Sequence, residues 1–191
     1  MNDIKKELRK EMAARRAKLP QKDIADGGAV IAKKICSLEA YSRCSWLWCY
    51  LSFAGEADTL SLIGQAIRDG KRIAVPKVTG PRTMIFCEIT SVERDTHPGK
   101  MGILEPVSHR ALFPGKDVSC EDILMVMPGV AFDRHRHRIG YGGGYYDTYL
   151  AGCGQIYTVA AAWDFQVVES VPSQPWDQKP QMIVTEKDIY R

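Results

Sequence analysis

No stretch of about 20 apolar residues occurs in the 191-residue chain, so no membrane-spanning helix is predicted. C-x-x-C pairs are missing too: Cys36, Cys44, Cys49, Cys87, Cys120 and Cys153 are scattered, several of them inside apolar segments. That spacing excludes a zinc ribbon and the dense disulfide framework of a small secreted fold. The six thiols are read instead as small buried hydrophobes in a reducing compartment. There is little surplus charge of either sign. Lys and Arg number 26 against 23 Asp and Glu, a net charge of +3, too even for a protein that coats nucleic acid by counterion release. Anionic small molecules stay compatible. Internal repeats, low-complexity tracts and linkers rich in Gly, Pro or Ser are absent, which points to a single domain over 1–191. The charged start, Met1-Asn2-Asp3-Ile4-Lys5-Lys6-Glu7-Leu8-Arg9, lacks the apolar core of a secretory signal, so a cytoplasmic protein is expected.

What is present suits one sizeable core: 45% of residues are hydrophobic and 26% charged. Ile4, Leu8 and Met12 recur at four-residue spacing among basic residues, an amphipathic helix that ends near Leu19-Pro20. A second helix is predicted from Ile24 to Ile35 despite Gly27-Gly28. Beyond it, short apolar strands alternate with helices. Ser45 to Ser52, Arg72 to Val75, Met84 to Ile89, Ile123 to Met127, Ile156 to Ala162 and Met182 to Thr185 have strand character, the second of them stopped by Pro76. Helices are expected after Thr59, a candidate N-cap, up to Gly70, and from Tyr145 to Leu150. The alternation predicts a single-domain three-layer α/β/α fold, a sheet of mostly parallel strands with helices on both faces.

Chemistry concentrates in Met127 to Asp147. A buried strand empties into Pro128-Gly129-Val130-Ala131-Phe132-Asp133, a basic loop follows from Arg134 to Arg138, and Gly140, Gly142, Gly143 and Gly144 open the next helix. Ligands of open α/β sheets bind at the carboxyl ends of the strands. There, closely spaced glycines let backbone N–H groups approach an anion, and a helix N-terminus adds partial positive charge. Phosphate binding is the functional reading, a plain turn the bland one. Two better-known loops are excluded: a dinucleotide fingerprint would need glycine where Tyr145 stands, and a Walker A loop needs a lysine and a hydroxyl after its second glycine. His135 and His137 lack a third metal ligand at motif spacing and lie among Arg134, Arg136 and Arg138, which repel a cation.

The run Pro128-Gly129-x-Ala131-Phe132-Asp133, then Arg138-Ile139-Gly140-Tyr141-Gly142-Gly143-Gly144-Tyr145-Tyr146-Asp147, closely resembles the signature of the 5-formyltetrahydrofolate cyclo-ligases, or methenyltetrahydrofolate synthetases. The likeness covers nearly the whole chain. Lys5-Lys6-Glu7-Leu8-Arg9 is similar to the family's N-terminal basic motif, Glu56-Ala57-Asp58-Thr59 to its acidic substrate motif, and Gly102-Ile103-Leu104-Glu105-Pro106 to its mid-chain motif. The resemblance implies ATP- and magnesium-dependent cyclisation of 5-formyltetrahydrofolate to 5,10-methenyltetrahydrofolate, with release of ADP and phosphate. It implies ATP contacts from Lys5, Lys6, Glu7, Leu8 and Arg9 and from Arg138 through Tyr146, folate contacts from Leu51 and Glu56, and a magnesium carboxylate at Asp147. A monomer is expected, with no nucleic-acid or membrane partner. No residue is assigned as general acid or base, because departing phosphate can itself take the N10 proton. Asp58 is read as a helix cap in preference to a ligand.

Three features depart from the family pattern. Arg136 stands where glycine is common in the loop, Tyr141 and Gly143 where arginine and lysine are common, and Gln181 in place of an aspartate associated with magnesium. These departures support the alternative class, a nucleotide-binding module that has lost turnover. RNA binding through the basic first helix is disfavoured by the modest charge and the lack of an aromatic RNP-type strand.

Overall fold

The computed structural model describes residues 2–99 and 102–191. In chain order its elements are α1 (Asn2–Arg16), α2 (Gln21–Cys36), α3 (Glu39–Arg43), β1 (Trp46–Cys49), α4 (Leu60–Arg68), β2 (Arg72–Gly80), β3 (Thr83–Ile89), α5 (Val92–Asp95), β4 (Thr96–Pro98), β5 (Leu104–Pro106), β6 (Ile123–Met127), β7 (Ala131–Asp133), β8 (Arg138–Ile139), α6 (Tyr145–Ala151), β9 (Tyr157–Ala161), β10 (Val167–Val168), β11 (Met182–Val184) and β12 (Ile189–Tyr190). The main sheet has seven strands in the order β12-β11-β9-β6-β1-β2-β3. Its five inner strands run parallel, and β12 and β3 close the edges antiparallel. β1 and β6 are apolar on both faces and every residue in them is buried, as a parallel sheet with two covered faces demands.

Alternation along the strands divides the core. On one face Leu47, Cys49, Val75, Leu124, Val126 and Val159 meet Ile31 and Ile35 of α2, Tyr41 of α3, and Leu62 and Ile63 of α4. On the other, Trp48 stacks on Phe86 with ring centroids 4.7 Å apart, and Met125, Met127 and Tyr146 of α6 pack around them. Helix cover is unequal between the faces. Beside the short α6, the second face is closed by the Leu112–Val118 region and by a small sheet of order β10-β7-β8, whose Phe132 packs on Ala160 and Ile183. Gly27 and Gly28 weaken α2 locally but permit its close docking: a Cβ would lie 2.4 Å from the Trp163 ring at Gly27 and 2.6 Å from Asp58 Cβ at Gly28. α1 docks on the small sheet, not the main one, through fully buried Met12 against Val130, Ala131, Ile139 and Val171.

Three local expectations change. Pro76 does not stop β2, which runs on to Gly80. The ladder between β1 and β2 ends at the Trp48/Ala74 pair, so Pro76 lies where that edge of β2 needs no further N–H, while pairing with β3 continues through Pro76/Phe86. The segment after β6 is not a plain loop, since Ala131 and Phe132 pair antiparallel with Ile139 and Arg138. Thr59 occupies the N-cap position of α4 without capping through its side chain. The Asp58 carboxylate accepts the N–H groups of Leu60 and Ser61 at 3.1 and 3.3 Å, while the Thr59 hydroxyl donates to Tyr50 O at 2.7 Å. All six thiols are free. Among the described residues, no helix is long and apolar enough to cross a membrane.

Candidate functional site

Where β1 and β6 end, the chain opens into a cleft of about 620 Å³. Tyr50, Leu51, Phe53 and Glu56 line it after β1, and Pro128 after β6. The β2–β3 hairpin overhangs the β1 ladder and contributes Pro76, Val78, Arg82 and Met84, while Ile103, Leu104 and Glu105 close a further side. β8 delivers Arg138 and Ile139 to the floor, followed by Gly140–Gly144 and the start of α6 with Tyr145, Tyr146 and Asp147. Lys5 and Arg9 reach in from α1, and Gln174, Trp176 and Asp177 from the segment before β11.

The helical period selects among the N-terminal residues. Lys5 and Arg9 are four apart and share the face turned to the cleft. Lys6 and Glu7 are exposed and do not line it, and Leu8 packs toward Met12. Lys5 Nζ pairs with Asp177 Oδ2 at 3.1 Å. Arg9 Nε donates to Gly140 O at 2.9 Å, so α1 grips the glycine loop by its backbone. Gly142 and Gly144 have φ of 102° and 66°, conformations that L side chains rarely adopt. α6 has only seven residues, and no side chain caps its N-terminus, which leaves its first N–H groups facing the loop without a side-chain acceptor.

Arg138 is buried, bonded through both terminal nitrogens and without a partner at Nε. Its Nη2 donates to Asp147 Oδ1 at 2.7 Å and its Nη1 to Pro128 O at 3.3 Å. Asp147 Oδ1 also accepts the Gln178 N–H at 2.9 Å, so both of these bonds fall on one carboxylate oxygen. Tyr146 is buried against Phe86 at a ring distance of 6.4 Å and belongs as much to the core as to the cleft.

Glu56 is the buried acid of the site. Tyr141 Oη donates to its Oε1 at 2.5 Å, the Phe53 N–H donates to its Oε2 at 3.2 Å, and Arg16 Nη1 lies 3.8 Å from Oε1. Arg16 Nη1 also donates to Tyr141 Oη. Burial pushes the Glu56 carboxyl above its ordinary range; the Tyr141 hydroxyl, the Phe53 N–H and Arg16 pull against it. Burial and the nearby Glu56 carboxylate raise the Tyr141 phenol, which therefore stays protonated and a donor.

The departures from the family pattern also find places. Arg136 takes φ 65° in the turn after Asp133 and donates its N–H to Asp133 O at 2.9 Å, so it adopts the left-handed conformation that glycine would favour. Asp133 is buried and accepts the backbone N–H groups of His135, His137 and Val171 as well as the His137 ring at 2.8 Å. Burial raises its pKa, but the His137 ring, the His137 N–H and the Val171 N–H outweigh that and hold it below the usual range. Gln181 does not line the cleft; its Oε1 accepts the N–H and hydroxyl of Thr158, tying β9 to the approach to β11. Arg82 and the stretch from Gln174 to Asp177 are cleft residues that sequence reasoning missed. Arg82 stands in a Gly-Pro-Arg turn with φ 58°, and only the hairpin overhang brings it near the loop, where a Cβ on Gly144 would lie 3.2 Å from its guanidinium.

Comparison with known proteins bears on the chain as a whole. The profile of the 5-formyltetrahydrofolate cyclo-ligase family matches residues 1–186. A 5-formyltetrahydrofolate cyclo-ligase of Escherichia coli is 35% identical over 147 residues, 74% of this chain and 78% of that one. The Mus musculus protein of the same name is 27% identical over 97% of this chain and 95% of its own. The solution structure of Aquifex aeolicus 5,10-methenyltetrahydrofolate synthetase superposes with a TM-score of 0.83 at 30% identity, covering 98% of this chain and 92% of that one. The chain belongs to the 5-formyltetrahydrofolate cyclo-ligase family.

Proposed function

We propose that this protein closes 5-formyltetrahydrofolate to 5,10-methenyltetrahydrofolate at the expense of ATP, as a cytoplasmic monomer. The observation that carries the reading is spatial: Leu51 and Glu56 of the folate-like motif, and Lys5, Arg9, Arg138 and Gly140 to Asp147 of the nucleotide-like motifs, line one cleft. An N-formyl group is an amide whose oxygen does not leave as hydroxide at neutral pH. Transfer of the γ-phosphoryl group to that oxygen, with ADP departing, makes it a phosphate leaving group. N10 then attacks the formyl carbon and loses its proton, and the C–O bond breaks with release of phosphate.

The protein's tasks are to align two ligands and to stabilise spreading phosphoryl charge. Lys5, Arg9 and Arg82 with the loop N–H groups supply positive charge at one end of the cleft. Arg138 fixes Asp147 through Oδ1. A single carboxylate beside a triphosphate suits magnesium, which favours one or two carboxylates with phosphate oxygens and water. Asp147 would hold that ion, and its chemistry there is to neutralise phosphate charge. Glu56 and Leu51 provide an acceptor and an apolar wall for the pterin.

The test is to mix the protein with magnesium, ATP and 5-formyltetrahydrofolate and follow the methenyl chromophore together with ADP. Equal amounts of the two products support the reading; nucleotide binding without folate-dependent turnover overturns it. Glu56→Gln is expected to raise the KM for folate at least tenfold while leaving that for ATP within about twofold, by loss of a charge-assisted hydrogen bond.

A further inference from the structure

Tyr141 lies within the glycine loop, yet its hydroxyl is bonded to the acid of the opposite motif, 85 residues away in sequence. Its chain neighbour Gly140 is held by Arg9, whose guanidinium also lies 3.5 Å from where a Cβ of Gly142 would stand. Arg9 therefore bears on the loop on both sides of Tyr141. On the Glu56 carboxylate, Tyr141 takes one acceptor site on Oε1 and the Phe53 N–H takes one on Oε2. A carboxylate offers about four such sites, so a pair of ligand N–H donors still has acceptors on both oxygens. Deleting the hydroxyl removes the bond that fixes the plane of that carboxylate from the loop side.

We infer that Tyr141 is a positioning residue linking the two substrate sites: a polyphosphate held by Arg9 and the loop fixes Tyr141, and Tyr141 orients Glu56 for the folate. The inference rests on the functional reading above. Each link is a contact in the structure: Arg9 to Gly140, Gly140 to Tyr141 along the chain, and Tyr141 to Glu56. Arg16, from α1, completes the group by donating to the Tyr141 oxygen and pairing with Glu56. The coupling is positive and reciprocal, since whatever one ligand does to the affinity of the other must be returned in equal measure.

The experiment measures the Kd of 5-formyltetrahydrofolate by calorimetry with and without a saturating non-hydrolysable ATP analogue and magnesium, then the Kd of the analogue with and without folate. For the wild-type protein, each ligand is expected to tighten the other by about fivefold or more. Tyr141→Phe keeps the ring against Phe53 and Arg16 and removes only the hydroxyl. It is expected to bring both factors to within about twofold of unity, and Tyr141→Met, a second variant without the hydroxyl, to do the same. A residue of merely structural importance would weaken each ligand alone and leave the ratio intact. Unchanged coupling in either variant, or no coupling in the wild type, overturns the link and leaves the cyclisation standing. Failure of the wild-type protein to bind the folate at all removes the functional reading, and the link with it.

Discussion

An alanine scan of the glycine loop separates two requirements, backbone conformation and room for a ligand. Gly142 and Gly144 have φ of 102° and 66°, whereas Gly140 and Gly143 have no such constraint. An L side chain in the left-handed region costs about 1–2 kcal/mol, partly offset by the ~0.4–1 kcal/mol gained when alanine restricts the unfolded chain. At Gly142 the added Cβ meets only the Arg9 guanidinium at 3.5 Å, an ordinary contact, so the penalty there is conformational. At Gly144 it meets the Arg82 guanidinium at 3.2 Å, the far end of a flexible side chain. Gly143→Ala places its Cβ 2.4 Å from the half-buried Tyr145 ring, which must swing away, and Gly140→Ala approaches Arg138 Nη1 at 3.1 Å. Gly142 is exposed and Gly144 half-buried, and both follow the Arg9–Gly140 and Tyr141–Glu56 bonds that hold the first half of the loop, so they can relax when free and the cost is met when a nucleotide demands the native conformation. Gly142→Ala and Gly144→Ala should therefore weaken binding of ADP with magnesium roughly 3- to 15-fold, the equivalent of about 0.6–1.6 kcal/mol left after that offset, with little change in melting temperature. Gly143→Ala should fall between these and Gly140→Ala, which should stay within about threefold of wild type. Calorimetric titration with ADP measures all four. Equal losses at Gly140 and Gly142, or wild-type affinity at both Gly142 and Gly144, would refute the conformational argument.

Other consequences can be checked on the same protein. Asp147→Asn retains an acceptor for Arg138 and Gln178, so the melting temperature should move by no more than about 4 °C. Turnover should fall at least tenfold and recover in part at high magnesium, whereas full activity at low magnesium would displace Asp147 as the metal carboxylate. Arg136→Gly relieves a positive φ and should stabilise the fold by about 1 kcal/mol, raising the melting temperature by about 2–4 °C; a fall would show that its side chain supplies more than the backbone loses. The folded pKa of Asp133 is depressed, so the stability it contributes is present above the ordinary aspartate value of about 3.9 and is lost as pH falls through the depressed value. Asp133→Asn should melt below wild type at pH 7, and the two curves should draw together as pH falls below the ordinary aspartate value; curves that stay parallel throughout would contradict this. Asp58→Ala should cost about 1 kcal/mol through loss of the α4 cap, whereas Thr59→Ser, which keeps the hydroxyl bond to Tyr50, should cost less.

The architecture was legible wherever burial imposes a run or a period. β1, β6 and β9 announced themselves as short apolar segments, and α1 and α2 through their helical spacing. The small sheet did not, because strands of three and two residues such as β7 and β8 are too short to show alternation. Pro76 was read by its local chemistry, which is right for a strand paired on both sides and wrong where one ladder has already ended. For the site, the glycines pointed to the loop, and the family resemblance pointed to Lys5 through Arg9 as one undivided block. Only the phase of α1 against the cleft separates Lys5 and Arg9 from Lys6 and Glu7. Contacts closed by topology, such as Tyr141 with Glu56, Lys5 with Asp177 or Arg82 beside Gly144, carry no local signal, since neither partner's neighbours in sequence require the other.

The hairpin that runs past the end of the β1 ladder has a bearing on how such a protein can change over time. Its tip carries Val78, Arg82 and Met84 into the cleft, while the pairing that fixes β2 in the sheet stops at Ala74. Residues can be added to or removed from that tip without shifting the register of the five parallel strands. The depth of the cleft and the position of one of its cations can thus be altered together, through one short segment, with the scaffold beneath them unchanged.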